Sequence, residues 1–430
     1  MNGNKIVFVV GLLFLTSCGI LKPTQDEPDK DAWKEEKEPE KASKDPLEKD
    51  TSAAKILKDT AKALEKDSLD LLYPVEMKES YEIAVLLPLF LDPLAREEQN
   101  AQKIGSVALD YYFGLQQAFD TLKACGTDFN VHVFDTKNEP LQTQELIRNE
   151  LDELNPDLII GPLFTNNVRL VSEFSKQNKI NMASPFAYVD TCVANNPYFL
   201  TPLQGHQVQA EHLTNLLMRK FKDYHIHVIH SGKPNQLAFA DQIDSLVNRD
   251  LFKSYQKIKT PKGNWRTDAF FRDTLKATDN VIVILSENEV FVTSVLSKLQ
   301  TIDKAITVTG LSKWLEFETL KGNLMEKFNM HFLANYHVNY NDPRTIRFVK
   351  SYRQEYAVEP NKYAIQSYDL TLLLGHMLHD YGTYFQRNWY NLSIPLLHSN
   401  FTSRQIKGKR GWENGFLNIL EFEDFQLKNI

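Results

Sequence analysis

From Tyr81 onward, short and wholly apolar runs alternate with longer segments of helical periodicity, and this alternation constrains the fold more than any other feature. Tyr81–Leu89 is an apolar run ended by proline, and Ile104–Lys123 spaces Leu109, Tyr112, Phe113, Leu115, Phe119 and Leu122 as a helix does. Asn130–Phe134 reads as a strand and Leu141–Leu154 as a helix. Asp157–Ile160 is a strand closed by Gly161-Pro162, Asn166–Lys176 is helical, and Ile180–Ala183 is a strand closed by Ser184-Pro185. After Tyr198–Thr201 the pattern restarts. Helices His206–Lys220, Leu237–Arg249, Asp268–Lys276 and Val290–Gln300 alternate with strands His225–His230, Phe252–Ile258, Asn280–Leu285 and Ala305–Val308. Strands that are apolar on both faces need helices on both sides of the sheet, which is an α/β arrangement of parallel strands.

Two such units in succession predict two Rossmann-like lobes, and ligands of these sheets bind outside the carboxyl ends of the strands. The 430 residues are not all available for them. Met1–Lys5 is a short basic start, and the apolar run Ile6–Leu15 is too short for a spanning helix of about 20 residues. Leu15-Thr16-Ser17-Cys18 resembles the lipobox of bacterial lipoproteins. That resemblance implies a signal peptide at 1–17, acylation of Cys18 and attachment to the membrane through the N-terminal lipid. More than one acyl chain anchors stably, at about 0.8 kcal/mol per buried methylene. Residues 18–80 are dense in mixed charge and carry Pro23, Pro28, Pro39, Pro46 and Pro74, a composition that cannot offset ordering entropy. As a flexible tether of about 60 residues, it would have an r.m.s. span of roughly 40–50 Å. It holds most of the formal net charge of −7. The remainder is near neutral, and nothing points to nucleic acid.

The run Ile159-Ile160-Gly161-Pro162-Leu163-Phe164-Thr165-Asn166-Asn167-Val168 resembles the strand-to-helix turn of type 1 periplasmic binding proteins. Ile83–Leu89, Val131–Asn138 (VHVFDTKN), Tyr363-Ala364 and Tyr368-Asp369 are similar to that superfamily as well, in the same order, over about Tyr81–Gly382. The group includes leucine/isoleucine/valine receptors and the binding-protein-like domain of lipoprotein activators of penicillin-binding proteins. The resemblance implies two lobes with parallel sheets joined by a three-crossover hinge. Lobe 1 would comprise 81–201 plus 335–384, and lobe 2 would comprise 202–334 plus 385–430. Met330–Val338 would return to the first lobe, and the C-terminal strands would belong to the second.

The resemblance also implies a cleft. Thr165 falls where amino-acid receptors of the family place a hydroxyl for the ligand carboxylate, and a helix N-terminus suits such a group; a simple N-cap is the alternative. Phe164 and Asn166 flank it, and Ser184 and Tyr188 lie on the next turn. Glu287 and Glu289 stand where those receptors carry an acid for the ligand ammonium, although both also suit the start of a helix. Tyr188 replaces a threonine, Ser231–Gln236 lacks an aromatic, and the loop Phe90–Lys103 is long and acidic. The expectation is a non-enzymatic receptor for a small polar ligand, amino-acid-like or a cell-wall fragment, with an ABC permease as the partner a receptor of this family would serve.

The alternative follows Asn166-Asn167-Val168, Val133–Thr136, the lipid anchor and the tether, which look more like the synthase-activator branch. There the domain contacts a peptidoglycan synthase and the cleft is vestigial. Either way the globular part is expected in the periplasm, on the outer rather than the inner membrane.

Catalytic patterns are sparse. Ser254-Tyr255-Gln256-Lys257 matches S-x-x-K, but on a predicted strand and without S-D-N or K-T-G. G-x-S-x-G, H-E-x-x-H, P-loop and G-x-G-x-x-G are absent. His225 and His227 share a strand face and could ligate a metal, though surface or satisfied core histidines are the commoner reading; His376 and His379 share a helical face without an obvious third ligand. No cofactor or metal is expected. With Cys18 acylated, Cys125 and Cys192 remain, and an oxidising envelope permits a disulfide between them.

Overall fold

The computed structural model describes residues 76–92, 98–187, 195–259, 268–389, 392–406 and 408–430. The expected signal peptide, Cys18, most of the expected tether, Tyr188 and Cys192 lie outside these residues. Cys125 ends a 3-10 turn, but its side chain lies outside the description, and so does the expected disulfide.

The first unit runs β1 (Ser80–Leu87), α1 (Gln99–Leu122), β2 (Asp128–Asp135), α2 (Pro140–Leu146), β3 (Leu158–Ile160), α3 (Thr165–Asn178), β4 (Asn181–Ala183) and β5 (Phe199–Thr201). Helix α2 continues through a π turn, Ile147–Leu151, to Leu154. The second unit runs α4 (His206–Lys220), β6 (His225–His230), α5 (Pro234–Leu246), β7 (Ser254–Lys259), α6 (Asp268–Thr274), β8 (Asn280–Ile284), α7 (Glu289–Gln300), β9 (Ile306–Leu311), α8 (Gly322–Lys327) and β10 (His331–Ala334). Helices α9 (Pro343–Tyr356) and α10 (Lys362–Tyr381) follow. The chain ends in β11 (Ser393–Pro395), β12 (Asn400–Gln405), β13 (Trp412–Asn414), β14 (Asn418–Glu423) and β15 (Gln426–Asn429).

These strands form two sheets, ordered β11-β12-β13-β5-β4-β3-β1-β2 and β15-β14-β10-β9-β8-β6-β7. The pairs among β1–β5 and among β6–β10 are parallel. Every residue of β8 is buried, as the unbroken apolar run requires, and each buried Val or Ile contributes about 1.5–3 kcal/mol. Both faces of the first sheet are covered. Ile83, Val85 and Leu87 pack with α1 and α10, while Ala84, Leu86 and Ile159 pack with Val168, Val171 and Phe174 of α3.

The chain crosses between the sheets three times, after β5, after β10 and after β13. The last crossing corrects the expected assignment of 385–430 to the second lobe. Strands β11–β13 extend the first sheet, because β13 pairs with the open edge of β5 through Trp412↔Leu200 and Glu413↔Thr201. That placement buries Trp389, Phe401 and Trp412 in the first lobe's core, and only β14 and β15 join the second sheet. Within Met330–Val338, the change of lobe falls at the boundary expected between 334 and 335. Strand β10 stays in the second sheet between β9 and β14, and the crossover begins at Asn335.

Candidate functional site

The carboxyl ends of the two sheets are built by different means. In the first lobe, β3 ends in Gly161, whose φ of +103° and lack of a Cβ let the turn pass Leu86; a Cβ there would lie 2.3 Å from the Leu86 carbonyl oxygen. Ser184, fully buried, donates its hydroxyl to the Pro162 carbonyl at 2.8 Å and so ties the end of β4 to this turn. Asp135 at the end of β2 gathers the loop after β1. Its carboxylate accepts the backbone N–H groups of Leu89, Phe90, Leu91 and Lys137 at 2.8–3.1 Å. Phe186, just past Ser184-Pro185, packs edgewise on Tyr111 and Tyr363 at 5.8 and 5.6 Å.

Helix α3 starts from this frame. Phe164 is its N-cap residue and gives no side-chain cap; its ring is partly buried against the core. Thr165 is therefore the first helical residue rather than the cap, and Thr165 and Asn166 are exposed. Asn167 beside them is buried with its Oδ1 unpartnered.

Across the cleft, Asn288 caps α7 by accepting the Phe291 N–H at 2.9 Å. Glu289 is held at 3.0 Å by the Thr319 N–H and at 2.6 Å by the Thr319 hydroxyl, and these bonds lower its pKa. Glu287 is exposed. His206, stacked on Phe239 at 5.3 Å, is kept below the ordinary histidine range by burial, against the opposing charge of Glu287.

The lobes meet directly at this end. Lys362, first residue of α10 in the first lobe, donates to Glu316 of the second at 2.7 Å, and Lys313 donates to the same carboxylate. Burial works against the Glu316 charge, but the two lysines outweigh it and hold the carboxyl below its usual range.

The crossovers bind the lobes on the hinge side. The Glu211 carboxylate takes a bidentate pair from Arg404, with Nη2 at 2.8 Å. Buried Glu413 accepts the Gly205 N–H at 2.7 Å, His212 lies 2.9 Å from the Gly415 carbonyl, and Gln204 donates to that of Phe416. Asp369, 2% exposed, accepts the N–H groups of Leu397 and His398 and the His398 ring. Leu203, Gln204, Ser312, Asn335, Leu417 and Glu287 surround a void of about 20 Å³, room for roughly one water.

The expected residues thus separate into distinct roles. Ser184 and Glu289 are committed to internal bonds. Phe164 is part of the packing, whereas Thr165, Asn166 and Glu287 remain exposed on opposite lobes with no hydrogen bond between them. Sequence reasoning missed Lys313, Glu316 and Lys362, which carry no motif; Asp369 was within reach, through Tyr368-Asp369.

The other patterns resolve structurally. On β7, Ser254 bonds the His225 ring at 2.8 Å, and Gln256 that of His227 at 2.7 Å. Lys257, on the opposite face, pairs with Asp244 and Asp241. Among the described residues no group of three or more His, Cys, Asp or Glu side chains is placed to hold a metal, and no helix is long and apolar enough to cross a membrane.

A periplasmic binding protein family model matches residues 103–388. No curated protein matches significantly by sequence. Among solved structures, a putative branched-chain amino acid ABC transporter from Rhodospirillum rubrum superposes with a TM-score of 0.64 at 13% identity, over 82% of this chain and 100% of that one. An ABC transporter substrate-binding protein from Desulfitobacterium hafniense, in complex with Leu, gives 0.56 at 15% identity, with 82% and 100% coverage. Full-length LpoA from Haemophilus influenzae gives 0.54 at 14% identity, over 83% of this chain but 60% of that one. At these identities the likeness is one of fold.

Proposed function

The chain belongs to the periplasmic binding protein family, and on that premise we propose that it is a non-catalytic envelope protein that works by contacting a partner protein. The observation that carries this reading is the bridge from Lys362 to Glu316 at 2.7 Å. In a solute receptor the ligand favours closure through contacts made only in the closed state. Here the chain's own side chains make such a contact, and Ser184 and Glu289 are already committed elsewhere. The lipobox-like Cys18 would anchor the protein in the envelope, and the partner class that fits is a peptidoglycan synthase.

The second reading, a receptor for a small amino-acid-like solute, is favoured by one arrangement. Thr165 and Asn166 are exposed at the start of a 14-residue helix that has no side-chain cap, and Glu287 is exposed on the other lobe. A carboxylate at such a helix start and an ammonium at Glu287 are chemically reasonable.

A thermal-shift screen of the full chain, made unlipidated by Cys18→Ser, separates the readings. The set would be amino acids, short peptides and muropeptides, run beside co-purification with peptidoglycan synthases. No shift together with a co-purifying synthase supports partner contact. A rise in Tm that Thr165→Ala abolishes supports the receptor and overturns it.

A further inference from the structure

Helix α9 buries Thr345, Phe348, Val349 and Tyr352, which pack on Ala364, Ile365 and Leu397 of the first lobe. Its outward arc carries Arg344, Arg347, Lys350 and Arg353 against one acid, Glu355. Two of these cations are satisfied within the chain. Arg344 pairs with Asp342 at 2.8 Å and donates to the Pro395 carbonyl, and Arg353 pairs with Glu359 at 2.6 Å. Arg347 and Lys350, one turn apart, are exposed and have no ion-pair partner among the described residues. Ile346 lies beside them, 52% exposed, and Tyr340 in the turn before the helix is 61% exposed.

We propose that this face, Tyr340 with Ile346, Arg347 and Lys350, is a docking surface for an acidic region of a partner protein. The proposal deepens the partner-contact reading above and rests on it. Charge selects the partner: Arg347, which acts on Asp342 only through its charge while Arg344 pairs with that carboxylate, and Lys350 leave exposed positive charge on a near-neutral folded part, and an anionic complement to it steers encounter and fixes register. Composition selects a protein rather than a lipid surface. Tyrosine and arginine around an exposed aliphatic side chain are what protein interfaces concentrate at their energetic centres. A bilayer contact would instead need a longer row of inserting apolar groups.

The test is site-specific photocrosslinking in cells that make this protein, with full-length chain carrying p-benzoylphenylalanine in place of Ile346 or Lys350. Leu141 and Leu237, exposed elsewhere on the two lobes, serve as control positions. We expect one discrete protein adduct from the α9 positions and none from the controls. Affinity for that purified protein should fall about 10-fold or more in the double variant Arg347→Glu, Lys350→Glu, and should weaken as salt rises. Both residues are exposed, so an unchanged melting temperature checks that the variant is folded. Adducts confined to the control positions, an α9 adduct to lipid or glycan, or an affinity unmoved by charge reversal would overturn this surface while leaving partner contact standing. No adduct at any position, together with a solute-dependent rise in Tm, would sink both readings.

Discussion

Lys362 and Glu316 join the two lobes at 2.7 Å, and the lysine does so from a position that opposes it. It is the first residue of α10, where the helix dipole disfavours a cation. Glu316 compensates for this, and Lys313 on its own turn completes a lysine–carboxylate–lysine bridge.

Lobe closure should therefore respond to acid. The Glu316 pKa lies below its ordinary value of 4.5 in the bridged form, where the lysines outweigh burial. The bridge is present above that ordinary value and is lost as pH falls through the lowered one. A partly exposed pair contributes about 0–1 kcal/mol, enough to shift an open–closed balance up to about five-fold. Interlobe FRET should be steady from neutral pH down to about 4.5, the ordinary carboxyl value, and drop at lower pH. In Glu316→Gln it should be lower throughout and lack that acid step; an identical profile in the variant would refute the bridge.

Asp369 should matter for stability far more than that pair. Its carboxylate is buried and is the acceptor for two backbone N–H groups and the His398 ring. Asp369→Ala strands those donors and should cost about 3 kcal/mol or more in urea denaturation. Asp369→Asn, which keeps one acceptor oxygen, should lie between it and wild type.

Gly161→Ala should destabilise by about 2–4 kcal/mol, from the left-handed backbone and the collision with the Leu86 carbonyl. Gly126→Ala is the control. It shares a positive φ but has nothing within 4 Å of an added Cβ, so only the backbone cost remains. Differential scanning calorimetry of the two variants checks the order.

Acid should weaken the second lobe well before carboxylates titrate. Burial lowers His227 to about 4, and His331 likewise to about 4, from 6.5. Both stay neutral when folded, while the unfolded chain takes up protons below 6.5. Stability is full above that value and falls as pH drops toward 4, by up to about 3 kcal/mol for His227, with His331, which Glu421 faces, adding in the same direction. The guanidinium midpoint should decline over that window, and His227→Gln should flatten the slope. A midpoint independent of pH between 6.5 and 4 would contradict it.

How much of this was readable beforehand depends on the range of the interaction. Strand β8 announces itself, since the β-branched run Val281–Ile284 is short and apolar on both faces, as a strand buried on both sides is. Gly161, Ser184 and Asp135 sit in recognisable runs because their bonding partners are fixed by the parallel order of β1–β4. Thr165 illustrates the limit. Its place near a helix start was visible, but that Phe164 would take the cap position depends on the turn's backbone.

The sequence alone determined two α/β lobes and the turns at their strand ends, because burial on both faces of a sheet is written into the local apolar pattern. Tertiary structure alone decided which sheet received β11–β13, because β5 offered an open edge and the first lobe's core accepted Trp389, Phe401 and Trp412. It also decided that Lys362 meets Glu316. Neither residue's neighbours in the chain specify the other, and only the docking of one lobe on the other brings their charges together.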